Sequence, residues 1–102
     1  MGRLLKIKDH VNQCYSNADG DIIRREIISG FNRGDKIIVS FKELDSASSS
    51  FINTAFIELL DQYDFDFIKQ NLGFADASRT INETIKRRFA FEVSNKKKLI
   101  EA

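Results

Sequence analysis

"KIIVSF", Lys36 to Phe41, is β-branched and almost continuously apolar. A short run of that kind suits a strand covered on both faces, as in parallel sheets. On either side lies a longer stretch with helical periodicity. From Asp21, the residues Ile22, Ile23, Ile27, Ile28 and Phe31 recur at helical spacing and leave Arg24, Arg25 and Glu26 for the outer face. Downstream, Ile52, Ala55, Phe56, Leu59, Leu60 and Tyr63 form one helical stripe. A buried strand between two amphipathic helices restricts the chain to layered α/β architectures, because each helix must bury its stripe against a sheet.

The rest of the chain extends that alternation. "RLLKIKDHV" alternates from Leu5 through Ile7 and predicts a strand over Arg3 to Lys8. "NQCYSNADGD" is rich in turn formers and reads as a loop ending near Asp19 or Gly20. The first helix stops at "NRGD", where Gly34 suits a left-handed C-terminal residue. "DFDFIKQNLGF" alternates around Phe65, Phe67 and Ile68 and predicts a third strand over Phe65 to Leu72. "TINE", Thr80 to Glu83, has capping-box spacing, and Ile81, Ile85 and Phe89 supply the stripe of a last helix. The expected order is β-α-β-α-β-α, a mostly parallel or mixed sheet with right-handed crossovers flanked by helices. So few strands leave exposed sheet edges, which an extra short strand or homodimerisation would cover.

The 102 residues suit one core, with residues 1–93 as the α/β domain and 94–102, including Lys96, Lys97 and Lys98, as a basic flexible tail. A net charge of +1 provides no strong field for nucleic acid or acidic lipid, and Arg87 and Arg88 read as the exposed face of the last helix. No apolar run is long enough to span a bilayer and no signal-peptide core opens the chain, so a cytoplasmic location is expected. The single cysteine, Cys14, excludes an internal disulfide, and Cys14 with His10 cannot close a zinc site. One histidine, with nothing placing it near the serines, also argues against Ser-His-Asp chemistry, and neither a catalytic set nor a cofactor is expected.

Chemistry concentrates at "FKELDSASSSFINTAF", where Ser46, Ser48, Ser49 and Ser50 fall within five residues. A loop leading from a strand into a helix lies at the carboxyl end of the sheet, where α/β folds dock ligands and partners. One role for these serines is an N-cap on Ser48, Ser49 or Ser50, contributing about 1 kcal/mol. The other is a hydroxyl set out for a partner or for phosphorylation, which adds nearly two negative charges where a helix start tolerates them.

These residues carry a resemblance. "KIIVSFKELDSASSSFINTAFIELL" resembles the core of STAS domains, the anti-sigma-factor antagonist fold, in which an apolar strand leads through an Asp-Ser-Ser-Gly turn into an amphipathic helix. "SSSFINTAFIELLDQY" followed by "IKQNLGFADASRTINETIKRRF" is similar to a STAS-like family of unknown function, and "NADGDIIRREI" resembles that family's first helix. The likeness spans about residues 3 to 92. It implies a non-enzymatic bacterial regulatory module that docks a GHKL-type ATP-binding kinase, which phosphorylates a serine at the helix start. The phosphoacceptor position falls on Ser49, with Ser50 where the antagonist motif has glycine. Ala47 stands where the motif has aspartate, and the nearest acid is Asp45. The implied docking face comprises Asp45, Ser48, Ser49, Ser50, Asn53 and Thr54, with Ser49 and Ser50 as phosphoacceptor candidates. The alternative is a sensor that binds phosphate or a nucleotide directly at the same helix start; the missing Gly-rich loop weighs against it.

Overall fold

A computed structural model describes the backbone of residues 2–101 and the side chains of residues 2–94. Three strands, β1 (Gly2–Lys6), β2 (Lys36–Ser40) and β3 (Leu72–Ala75), form a parallel sheet in the order β1-β2-β3. Four helices accompany it: α1 (Asn17–Asn32), α2 (Ser49–Ala55), α3 (Phe65–Asn71) and α4 (Arg79–Glu101). Short 3-10 turns cover Ile7–Asp9 and Ile57–Asp61. The element order therefore contains one more helix than the strict alternation expected from the sequence. Among the described residues no fourth strand covers a sheet edge, and β1 and β3 are both edges.

The extra helix is α3, and it corrects the third-strand expectation. Phe65 to Asn71 is helical, and the strand starts only at Leu72. The apparent alternation covered very few residues, whereas Phe65 and Ile68, three residues apart, put one helical face against the core just before Leu72 opens the strand. Phe67, read as part of the alternation, packs edge-on to Phe31 and stacks on Tyr63, with centroids 5.2 and 5.0 Å apart.

Helix ends follow local chemistry. Helix α1 starts earlier than Asp21 because the Ser16 hydroxyl accepts the Asp19 N–H at 3.1 Å. It closes with a Schellman motif: Gly34, at φ 82°, donates to the Phe31 carbonyl and Asp35 to the Gly30 carbonyl, both at 3.0 Å. The last helix is capped by Ser78, whose hydroxyl accepts the Ile81 N–H at 3.2 Å. Thr80 thus sits inside the helix rather than capping it, and "TINE" is not the capping box. The α4 backbone stays helical to Glu101, through most of the segment read as a basic tail. Side chains of Lys96, Lys97 and Lys98 fall outside the described residues.

The helix expected to run unbroken from the serines to Tyr63 ends at Ala55 and tightens into the 3-10 turn. Phe51, Ile52, Ala55, Phe56, Ile57, Leu59 and Leu60 are all buried, which a single amphipathic stripe could not achieve. The change of period lets the segment present apolar groups on more than one side.

Leu5, Ile37, Val39 and Leu72 enter the core together with Phe41, Phe51 and Phe56. The opposite sheet face is open. Leu4 is 63% exposed, Ile38 is 41% exposed, and the two are in register with Gly73. The apolar continuity of "KIIVSF" therefore does not mean burial on both faces: the helices gather over Ile37 and Val39, and Ile38 points outward. At the carboxyl end of the sheet, Ser40 donates to Asp76 Oδ2 at 2.7 Å and ties the end of β2 to the residue after β3.

Candidate functional site

The junction begins where β2 ends. A turn closes between Phe41 and Leu44 at 2.9 Å, with Glu43 at φ 69°, and releases an exposed loop carrying Asp45 and Ser46. Ser48 then adopts extended backbone and caps α2 by accepting the Phe51 N–H at 3.1 Å. The same hydroxyl donates to the Tyr15 carbonyl at 3.0 Å, and the Ser48 N–H donates to the Cys14 carbonyl at 2.8 Å. Ser46 reaches the same loop through its contact with the Tyr15 hydroxyl, at 3.1 Å.

The crowded hydroxyls therefore divide into two sets. Ser46 and Ser48 fasten the junction to the loop before α1. Ser49 and Ser50 are exposed. Removing the Ser48 hydroxyl deletes a cap and the bond to Tyr15, so Ser48→Ala is expected to lower stability by about 1–2 kcal/mol. Urea denaturation checks this, with Ser50→Ala, which loses neither bond, expected to leave the midpoint unchanged.

The remaining residues of the expected docking face are dispersed around α2. Asn53 is half-buried and lines a depression of about 290 Å³ with Ile57, Glu58, Asp61 and Glu92. Asp45 lines another, of about 240 Å³, with Lys8, Tyr15 and Glu43. Thr54 is only 9% exposed, and its hydroxyl donates to Asn17 Oδ1 at 3.2 Å, within the α1–α2 contact. It supports the helix from behind rather than facing outward.

Ser49 has neighbours that the sequence reading did not join to it. It lines a groove of about 350 Å³ with Thr84, Arg87, Arg88 and Phe91 of α4. Those four residues stand at i, i+3, i+4 and i+7, one stripe of the helix beside the buried stripe of Ile81, Ile85 and Phe89. That periodicity was visible in the sequence; what it lacked was the knowledge that this flank runs beside α2. Neither guanidinium forms an ion pair with another described residue.

Cys14 is buried, and desolvation, reinforced by the Asp19 charge and opposed by Lys8, pushes its thiol up to about 11. The thiol stays protonated and structural at neutral pH. Among the described residues, no group of three or more His, Cys, Asp or Glu side chains could hold a metal ion, and no helix is long and apolar enough to cross a membrane.

Comparison with curated proteins and with solved structures found no match. A family model described as a STAS-like domain of unknown function (DUF4325) matches residues 19–82, from the first turn of α1 to the first turn of α4, with the serine junction at its centre. The three-strand parallel sheet with its four helices agrees with that fold, and the chain belongs to the STAS-like domain family.

Proposed function

We propose that this domain is a regulatory protein-interaction module whose docking surface is the exposed side of the junction between β2 and α2. The observation that carries the reading is the division of the serines. Ser48 is held by two hydrogen bonds of its hydroxyl, while the adjacent Ser49 and Ser50 remain exposed on a backbone that Ser48 fixes in place. A rigid start to a short helix with free hydroxyls is a preorganised surface, and preorganisation lowers the entropy lost on binding. Membership of a STAS-like family supports a regulatory role.

In this reading the partner is an ATP-binding regulator of the GHKL type, and Ser49, with Ser50 next, accepts the phosphoryl group. Ser48 is unsuited to that role, because modification would remove the cap and the bond to Tyr15. Asp45 and Asn53 flank the surface, and Thr54 holds it against α1. A charge placed on Ser49 changes the potential and the shape that a docking partner meets, which weakens binding.

Ser49→Asp is accordingly expected to reduce affinity for an ATP-binding partner by about tenfold or more, a loss of roughly 1.4 kcal/mol. The partner would be captured from native lysate with added ATP and then titrated calorimetrically against both forms of the domain. Circular dichroism should show both folded. Equal affinity of the two folded proteins would remove the docking reading.

A further inference from the structure

We propose that a phosphoryl group on Ser49 is held inside the domain by Arg87 and Arg88, so that modification latches α4 to the start of α2. The inference rests on the reading of Ser49 as a phosphoacceptor and goes beyond it by assigning the receptor for the phosphate. Ser49 and the two arginines line one groove, with Thr84 on the same wall, its hydroxyl donating to the Thr80 carbonyl at 2.9 Å. Arg87 is exposed, Arg88 is half-buried, and neither is engaged by a carboxylate among the described residues. What sets Arg87 and Arg88 apart from other described cations outside ion pairs, such as Arg3 and Lys36, is that they share one groove with an exposed serine hydroxyl.

The charges around the groove favour the same assignment. Helix α2, "SSFINTA", carries no charged side chain. Glu92 lines the separate depression beside Asn53, where Glu58 already pairs with Arg24 at 3.0 Å. Asp45 and Glu43 lie with Lys8 in the third depression. No acid therefore lines the groove itself among its described residues.

The modification transfers the γ-phosphoryl group of a nucleoside triphosphate to Ser49 Oγ. A bond forms from Oγ to phosphorus as the bond from phosphorus to the bridging oxygen breaks. The nucleoside diphosphate leaves, and the hydroxyl proton passes to a base of the transferring enzyme. The resulting phosphate offers three acceptor oxygens, and the planar fork of arginine matches them in a bidentate manner that lysine cannot reproduce. Closure needs no refolding of α2, because the bonds that hold Ser48 are not involved.

The test uses the full chain with phosphoserine installed at position 49 during translation, so no transferring enzyme is required. Phosphorus NMR then follows the second ionisation of the phosphate, which for free phosphoserine has a pKa of about 6. Contact with the arginines favours the dianion and is expected to lower that pKa by about one unit. Phosphoserine at position 50 should titrate near the free value, as should phosphoserine 49 in the Arg87→Gln, Arg88→Gln variant. Arg88→Lys, which keeps the charge and loses the fork, should retain only part of the shift.

If phosphoserine 49 titrates like phosphoserine 50, or is unaffected by the double substitution, the latch is overturned. Circular dichroism confirms that the compared proteins are folded. Because the phosphate is introduced without a partner, this outcome is independent of lysate capture. A lowered pKa with no captured regulator removes the partner alone, and an unshifted pKa with a captured regulator removes the latch alone.

Discussion

Phe56→Ala is expected to lower the folding stability by about 3–5 kcal/mol, the range for deleting a fully buried aromatic side chain. Phe56 has no exposed surface and sits where α2 gives way to the 3-10 turn. Its ring meets Phe74 edge-on at 5.0 Å, Phe51 at 6.0 Å and Phe41 at 6.1 Å. These neighbours come from β3, α2 and the end of β2, so the cavity left by truncation cannot be closed by moving one element alone. Domains of this size hold about 5–15 kcal/mol in total, and the variant should lie close to its unfolding transition. Urea denaturation measures the loss. Phe91→Ala is the contrast: that ring is 58% exposed, and its removal should change the midpoint little. A loss at position 56 no greater than that at position 91 would mean that the aromatic cluster is not the keystone of the core.

Gly20→Val should be the next most damaging change, at about 3 kcal/mol, the upper end for overpacking a close contact. A Cβ at position 20 would come within 2.9 Å of the Phe51 carbonyl oxygen and of Thr54 Cβ, and within 3.2 Å of the Ala55 nitrogen. Two of these obstacles are backbone, which no rotamer change can move. The helix-propensity gain from replacing glycine is about 1 kcal/mol at most and does not offset the displacement. Because α2 would be pushed away from α1, Thr54 would also lose its bond to Asn17. The expected result is a lowered melting temperature together with weaker partner capture, whereas Gly2→Ala, with nothing within 4 Å of its Cβ, should leave both unchanged.

What the sequence made legible follows from where periodicity is strong. The long stripe of α1, the apolar run of β2 and the stop at Gly34 were readable because many residues repeat one signal or because a single φ demands glycine. Helix α3 was not, since seven residues are too few to separate a period of two from one of 3.6, and Phe67 served both patterns. The break after Ala55 was hidden for the opposite reason: a segment apolar on several sides looks like one long stripe. At the junction, serine chemistry pointed to a cap but not to which hydroxyl would be occupied. That choice depends on the Tyr15 carbonyl, supplied by a loop far away in sequence. The arginines beside Ser49 were missed because charge on one helix flank acquires meaning only from the element packed next to it.

The wholly parallel ladder has a consequence for how the chain reaches this state. Gly2 pairs with Lys36 and Ile37 with Leu72, so neither ladder can start from a hairpin. Each strand must wait for a helix-bearing crossover to close, and contacts of such separation slow folding relative to helical bundles. On a ribosome, β1 emerges with no mate until β2 follows, and β2 keeps an open edge until β3 is made. Ile81, Ile85 and Phe89 of α4 arrive after all three strands and complete the burial of the core. The interval before α4 packs is therefore when the nascent chain exposes the most apolar surface, and it is the stage at which chaperone capture should be greatest.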